Sequence, residues 1–161
     1  MSYISYLKTN YTSTFDNNLL YLKYGVMSNI TYPFIESNLP FDNFNKLPII
    51  LINVATKDKS VECYGLIDTG ATISIIDVDV AKHLNSIIID TSITSTVVGV
   101  EQKPVINIQL NTEALDKQWI SLNVSVADLK HCNIQMLLGR DFLEYFILEF
   151  NQKEKFLTLK F

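Results

Sequence analysis

The stretch Leu66-Ile67-Asp68-Thr69-Gly70-Ala71-Thr72-Ile73-Ser74 decides how this chain is read. An apolar run enters an acid, a small hydroxyl residue and a glycine, and then continues apolar through Ile73, Ile75 and Ile76. Burying a charge is costly unless it is paired, so a carboxylate delivered by an apolar strand needs a reason. Gly70 offers backbone angles closed to other residues, which would let a loop turn sharply after the acid. Thr69 offers a hydroxyl that can hydrogen-bond within or across such a loop. An acid held this way and facing a second copy of itself would share one proton with it, because like charges a few ångström apart do not both ionise. The ionised member can take a proton from water while the protonated member gives one to a carbonyl. The plainer reading is a turn in which Asp caps and Gly bends. The apolar flanks on both sides weigh against a surface turn.

Working outward, Ile49–Ala55 and Val61–Ile67 read as two strands joined by the charged turn 57–60, a hairpin that leads into Asp68. Asp77 is placed to cap a short helix through Leu84, with Val78, Ala81 and Leu84 on one face. Ile87–Ile89, Thr94–Val100, Val105–Leu110 and Trp119–Val126 are strand candidates rich in β-branched residues. A short apolar run, Met136–Leu138, ends at Gly139, and Arg140–Phe146 can form a brief helix. Ile147–Phe150 and Phe156–Phe161 close the chain as a hairpin around a polar turn. Many short strands and one or two short helices predict an all-β, small closed or barrel-like domain.

The texture changes near residue 47. Residues 1–47 are rich in Tyr, Asn, Ser and Phe, with Pro33 and Pro40 as breakers, and read as an N-terminal extension with weak or borrowed structure, such as a linker from a polyprotein. Residues 48–161 read as the folded domain. With 161 residues, 48% apolar and 19% charged, the chain can bury one core. Its formal net charge of −4 and unclustered Lys and Arg argue against nucleic acid as a partner of this domain. No run approaches the roughly 20 apolar residues of a membrane helix, and residues 1–14 lack the hydrophobic run of a secretion signal. Cys63 and Cys132 lack metal-site spacing, and two reduced thiols suit an intracellular protein. His83 and His131 lack ligand spacing, so neither a metal nor another cofactor is expected.

A second segment, Met136-Leu137-Leu138-Gly139-Arg140-Asp141-Phe142-Leu143, takes an apolar strand through a glycine into a short helix. On its own, Asp141 reads as an acid in a first helical turn, favourable to the helix dipole. Taken together, the Asp-Thr-Gly-Ala-x-x-Ser run, a glycine-bearing hairpin and Leu-Leu-Gly-Arg-Asp-Phe-Leu resemble the retropepsin family, the aspartic proteases of retroviruses, pararetroviruses and gypsy-type retroelements. The resemblance covers roughly residues 48–161. It implies a homodimeric aspartic endopeptidase with Asp68 as the catalytic acid of each subunit. Thr69 would make hydroxyl contacts across the dimer, Gly70 would allow the tight loop, and Ala71 would lie beside the substrate backbone. Ser74 would be structural. Leu138, Gly139 and Arg140 would pack behind the loop, with Arg140 pairing an acid near the interface. The flap over the substrate would be the hairpin at 96–104 with Val98, Gly99 and Val100 at its tip, although a single glycine and Glu101-Gln102 depart from the family's small-residue pattern.

Only one Asp-Thr-Gly is present, so a second copy must supply the other carboxylate across a two-fold axis. The period-2 alternation of Phe156–Phe161 marks it for an interleaved interface strand. The expected substrate is a viral or retroelement polyprotein, cut in the host cytoplasm or within a virus-like particle at an acidic-side pH optimum. Tyr32-Pro33 and Leu39-Pro40 resemble bonds for self-release. The alternatives are a cellular retropepsin-like protein and a non-catalytic dimerisation or peptide-binding module.

Overall fold

The computed structural model describes residues 20–22, 25–36, 46–96, 99–132 and 134–161. On the N-terminal side, β1 (Leu20–Leu22) and β2 (Gly25–Met27) pair antiparallel. They are followed by β3 (Asn29–Pro33), and then β4 (Ile35–Glu36) pairs with β5 (Lys46–Leu47).

The centre of the molecule is a closed sheet. The expected hairpin is there: β6 (Ile49–Ala55) runs antiparallel to β7 (Ser60–Ile67), in register from Ile49 opposite Leu66 to Ala55 opposite Ser60. The turn between them is closed by the Thr56 amide donating to the Lys59 carbonyl at 2.8 Å. After the Asp-Thr-Gly loop comes β8 (Ile75–Asp77), then α1 (Val78–His83). Asp77 caps α1 as the sequence predicts, its Oδ1 accepting from the Asp79 amide at 2.9 Å. Its Oδ2 accepts from the Leu129 amide at 2.9 Å, so this buried carboxylate has hydrogen-bond partners on both oxygens. β9 (Ile88–Thr96) and β10 (Gly99–Asn111) form a long hairpin. β11 (Ile120–Ala127), β12 (Met136–Leu138) and α2 (Arg140–Leu143) follow. The hydrogen-bonded order β11-β8-β12-β7-β6-β10 returns to β11 through the β10–β11 pairing, and β9 hangs on β10. Closure leaves the ring itself without edges.

Two strand readings merge: Ile87–Ile89 and Thr94–Val100 become parts of one β9 and of β10. Long antiparallel pairing overrides the polar break at 90–92, because the ladder runs from Gly99 opposite Thr96 to Ile106 opposite Ile88. A bulge between Val105 and Ile106 then redirects β10, whose Gln109–Asn111 pair with β6.

The core follows from alternation. Ile50, Ile52 and Val54 of β6 turn inward, as do Ile106, Ile108 and Leu110 of β10 and Ile120, Leu122 and Val124 of β11. Each such side chain contributes on the order of 1.5–3 kcal/mol by leaving water.

The C-terminal hairpin, β13 (Ile147–Asn151) and β14 (Phe156–Lys160), forms as expected, but β14 is the middle strand of three. Its other neighbour is β3, paired from Phe156 opposite Pro33 to Lys160 opposite Asn29. The Phe34 side chain, just after β3, is buried in the main core and packs at a tilt against Phe150 with ring centroids 5.0 Å apart. The β3–β14 pairing corrects the placing of Phe156–Phe161 at an interleaved dimer sheet. Both edges of β14 are taken by its own chain, and Leu157, Thr158 and Leu159 are buried.

Candidate active site

β7 ends at Ile67, and Asp68 begins the loop. The Asp68 amide donates to the Leu138 carbonyl at 2.9 Å, continuing the parallel β7–β12 pairing by one residue. The apolar strand therefore delivers the acid to a fixed point at the end of the sheet. Asp68 is half-buried, while Thr69 and Gly70 are exposed. Its Oδ1 accepts from the Gly70 amide at 2.9 Å, and the Ala71 amide donates to the Asp68 carbonyl at 3.2 Å. Oδ2 has no hydrogen-bond partner among the described residues, which leaves one carboxylate oxygen open to a water or a second carboxyl group.

The role expected of Gly70 changes in kind. Its φ does not lie in the left-handed region, so the loop does not need glycine for backbone angles. What matters is proximity: a Cβ there would stand 3.2 Å from Asp68 Oδ1, against the carboxylate itself.

Behind the loop lies the segment 138–141, and here the structure joins residues the sequence placed together only by resemblance. The Gly139 amide donates to Ser74 Oγ at 3.0 Å, the Arg140 amide to the Ala71 carbonyl at 2.9 Å, and the Asp141 amide to the Thr72 carbonyl at 3.3 Å. Gly139 is required by contact, since a Cβ would meet the Ile73 carbonyl carbon at 2.9 Å and the Ser74 nitrogen at 3.0 Å, both backbone atoms. Ser74 is fully buried, as its expected structural part demands. Arg140 donates from Nη2 to Thr72 Oγ1 at 2.8 Å, so its partner among the described residues is a hydroxyl rather than an acid.

One residue of this site and one outside it escaped the sequence reading. Asp141 does more than favour a helix dipole: its carboxylate accepts from the Ser74 amide and hydroxyl. The signal was present in the pairing of Ser74 with the Gly-Arg-Asp run. The second is Tyr32, whose hydroxyl lies 3.2 Å from Thr112 Oγ1 and accepts from the Ala114 amide at 3.2 Å. It ties β3 to the 3-10 turn Glu113–Leu115. Burial pushes the Tyr32 phenol up to about 12, against a smaller lowering by the Thr112 hydrogen bond. Of the two bonds considered for self-release, Tyr32-Pro33 lies in β3, paired with Leu157 and Phe156 of β14, with Pro33 exposed. Leu39-Pro40 lies outside the described residues.

The segment expected as a flap lies in the β9–β10 hairpin, where Gly99 pairs with Thr96 in the ladder. Val98 lies outside the described residues, and Val100 is exposed. Cys63 is buried and Cys132 exposed, both as free thiols, and burial pushes the Cys63 thiol up to about 12. Among the described residues there is no group of three or more His, Cys, Asp or Glu side chains that could hold a metal ion, and no helix is long and apolar enough to cross a membrane.

A family model described as aspartyl protease matches residues 52–142, from β6 to α2 and including both halves of this site. The chain belongs to the aspartyl protease family, and its fold is that of the retropepsin-like aspartic proteases. Solved structures similar to it include a retropepsin-like aspartic protease from Rickettsia conorii, 16% identical, with a TM-score of 0.55 over 93% of this chain and 98% of that one. A foamy viral protease–reverse transcriptase in complex with an RNA/DNA hybrid is 16% identical, with a TM-score of 0.50 over 66% of this chain and 13% of that one. The EIAV protease complexed with the inhibitor HBY-793 is 20% identical, with a TM-score of 0.48 over 64% of this chain and 90% of that one. At these identities the likeness is one of fold, and it rests on the first two. No curated protein matches the sequence.

Proposed function

We propose that this chain is one subunit of a homodimeric aspartic endopeptidase in which Asp68 and the partner subunit's Asp68 form the catalytic dyad. The observation that carries the reading is the state of Asp68: half-buried at a strand end, anchored through its backbone to Leu138, with Gly70 on one carboxylate oxygen and the other open. Two such carboxyl groups facing each other hold one proton between them. The ionised one activates a water, and the protonated one protonates the scissile carbonyl oxygen. In this reading Thr69, exposed beside the acid, would meet the second loop, and Ala71 would border the substrate backbone. The β9–β10 hairpin, whose β10 begins with Gly99 and Val100, is the covering element. An extended polypeptide is the natural substrate of a site built between strands.

Two sources of that polypeptide fit. A viral or retroelement polyprotein, processed in the host cytoplasm or in a particle, follows from the motif resemblance. A cellular substrate is favoured by the bacterial neighbour, which this chain matches over nearly its whole length.

The test is cleavage of a mixed peptide library near pH 5–6 by the native chain and by Asp68→Asn, with the dimer fraction of each measured by sedimentation. The native chain is expected to cut, with specific activity falling on dilution below the dimer dissociation constant. The variant should lose at least about a hundredfold. Equal activity in the two proteins, or none in either at a concentration where both are dimeric, would sink the reading and leave a peptide-binding module.

A further inference from the structure

The Asp141 carboxylate sits at the convergence of four hydrogen bonds. Oδ1 accepts from Ser74 Oγ at 2.7 Å, from the Ser74 amide at 3.0 Å and from the Phe142 amide at 2.9 Å, and Oδ2 accepts from the Ser74 amide at 3.0 Å. Ser74 Oγ passes the chain on, accepting from the Gly139 amide at 3.0 Å. Gly139 follows Leu138, whose carbonyl holds the Asp68 amide. The loop 68–74 is thus fastened at both ends to one short segment. At its start the bond is backbone to backbone, through Leu138; at its end it runs through a charged side chain.

We propose that Asp141 is a positioning residue for the aspartyl dyad: through Ser74 it fixes the far end of the active-site loop and thereby the direction of the Asp68 carboxylate. The inference rests on the peptidase reading of Asp68. Three features of the site support a positioning role over plain stability. The group it holds, Ser74, is fully buried, so its amide and hydroxyl have no water to fall back on when the carboxylate is gone. Charge-assisted bonds such as these are shorter and more directional than neutral ones, so the constraint is one of geometry as well as energy. And the reacting end of the same loop, Thr69-Gly70, is exposed, so its orientation depends on the hydrogen bonds that anchor the loop at Asp68, Ala71, Thr72 and Ser74. A loop released at Ser74 would let the acid drift, and displacement of a reacting group by about 1 Å is enough to cost on the order of a hundredfold in rate.

The experiment compares native protein with Asp141→Ala, Asp141→Asn and Ser74→Ala. It measures kcat and KM on one peptide substrate, with competent sites counted by titration with a tight-binding pepstatin-type inhibitor. Asp141→Ala should lower kcat per titrated site by about ten- to a hundredfold while KM stays within about threefold. Asp141→Asn keeps an oxygen acceptor for Ser74 and should recover most of that loss. Ser74→Ala, which removes the hydroxyl and leaves the backbone contact, should fall between. Unchanged kcat per titrated site in Asp141→Ala would overturn the proposal, since the carboxylate would then only set how much protein is folded. Amide exchange gives a reading independent of turnover: the Asp68 and Gly70 amides should exchange at least about tenfold faster in Asp141→Ala than in native protein. Unchanged exchange at both amides would equally overturn it. A native protein that cuts nothing, with exchange changed as expected, would count against the peptidase reading and leave the loop anchor standing.

Discussion

The loop 68–74 and the strand segment 28–36 are both fastened to the C-terminal part of the chain, but by different means. The loop is held at a few points, and at Gly139 two stretches of backbone come so close that an added methyl group would sit 2.9 Å from a carbonyl carbon. Segment 28–36 is held by many moderate contacts: the β3–β14 ladder, paired hydrogen bonds between Ser28 and Phe161, a bond from the Phe34 amide to the Lys155 carbonyl, the buried Phe34 ring and the Tyr32 hydroxyl. Close backbone contact fixes atoms and tolerates no added volume. Distributed contact fixes an element and tolerates the loss of any one partner. A catalytic loop calls for the first and a covering strand for the second.

The widest break in this comparison is removal of residues 1–36. It takes away the Phe34 ring, whose loss alone is worth about 3–5 kcal/mol by the cost of truncating a buried aromatic, and it frees one whole edge of β14. The sum approaches the total stability of a small domain, so the truncated chain is expected to show no cooperative thermal transition by circular dichroism. A sharp transition near the native midpoint would mean that segment 28–36 is dispensable.

Gly139→Ala comes next. The methyl group has only backbone to push against, at Ile73 and Ser74, and a cost of about 1–3 kcal/mol or more is expected from overpacking, together with loss of peptidase activity. Gly65→Ala sharpens the contrast. Its methyl group would also come very close, 2.7 Å from Leu138 Cδ1 and 2.9 Å from its Cγ, but these are side-chain atoms of a buried leucine, which can repack at lower cost than backbone can shift. Denaturant midpoints should therefore fall less for Gly65→Ala than for Gly139→Ala. The reverse order would show that the β7–β12 contact, rather than the loop anchor, is the rigid point.

At neutral pH the smallest expected effect is at Tyr32. Its folded-state pKa, raised to about 12 by burial, lies above the ordinary value of 10.0. The native state therefore favours the protonated phenol, and the contribution is fully present below pH about 10. It is lost as pH rises towards about 12, with about 3 kcal/mol at stake from a two-unit shift. Cys63 is raised in the same direction by burial and adds its own loss over an overlapping range, so the measurement is a difference. Tyr32→Phe should cost about 1 kcal/mol at neutral pH and flatten part of the fall in urea-unfolding stability above pH 10. Parallel alkaline curves for native and variant would mean that the Tyr32 phenol is not buried in the folded protein.

Much of the barrel was legible because its signals are local. Period-2 alternation in 49–55 and 61–67, a charged turn between them and an acid before the Val78–His83 helix each state their structure within a few residues. The site was legible as a motif, but not all of its working parts were. Gly70 was expected to serve through its backbone angles and serves through space beside a carboxylate. Asp141 looked like an ordinary first-turn acid because its partner, Ser74, is 67 residues away. The C-terminal strand was given to a dimer sheet because its alternation says that it has two faces and nothing about which strands lie at its edges.

By itself, then, the sequence determined the barrel strands, the capped helix and the position of Asp68 at a strand end, since hydrophobic periodicity and capping act over a turn or a strand pair. The tertiary structure alone decided which strand covers β14 and which carboxylate anchors the active-site loop. Thr31 meets Thr158 across 127 residues at 2.9 Å, and such a pairing is selected by the shape and unsatisfied hydrogen bonds of surfaces that exist only once the barrel has closed.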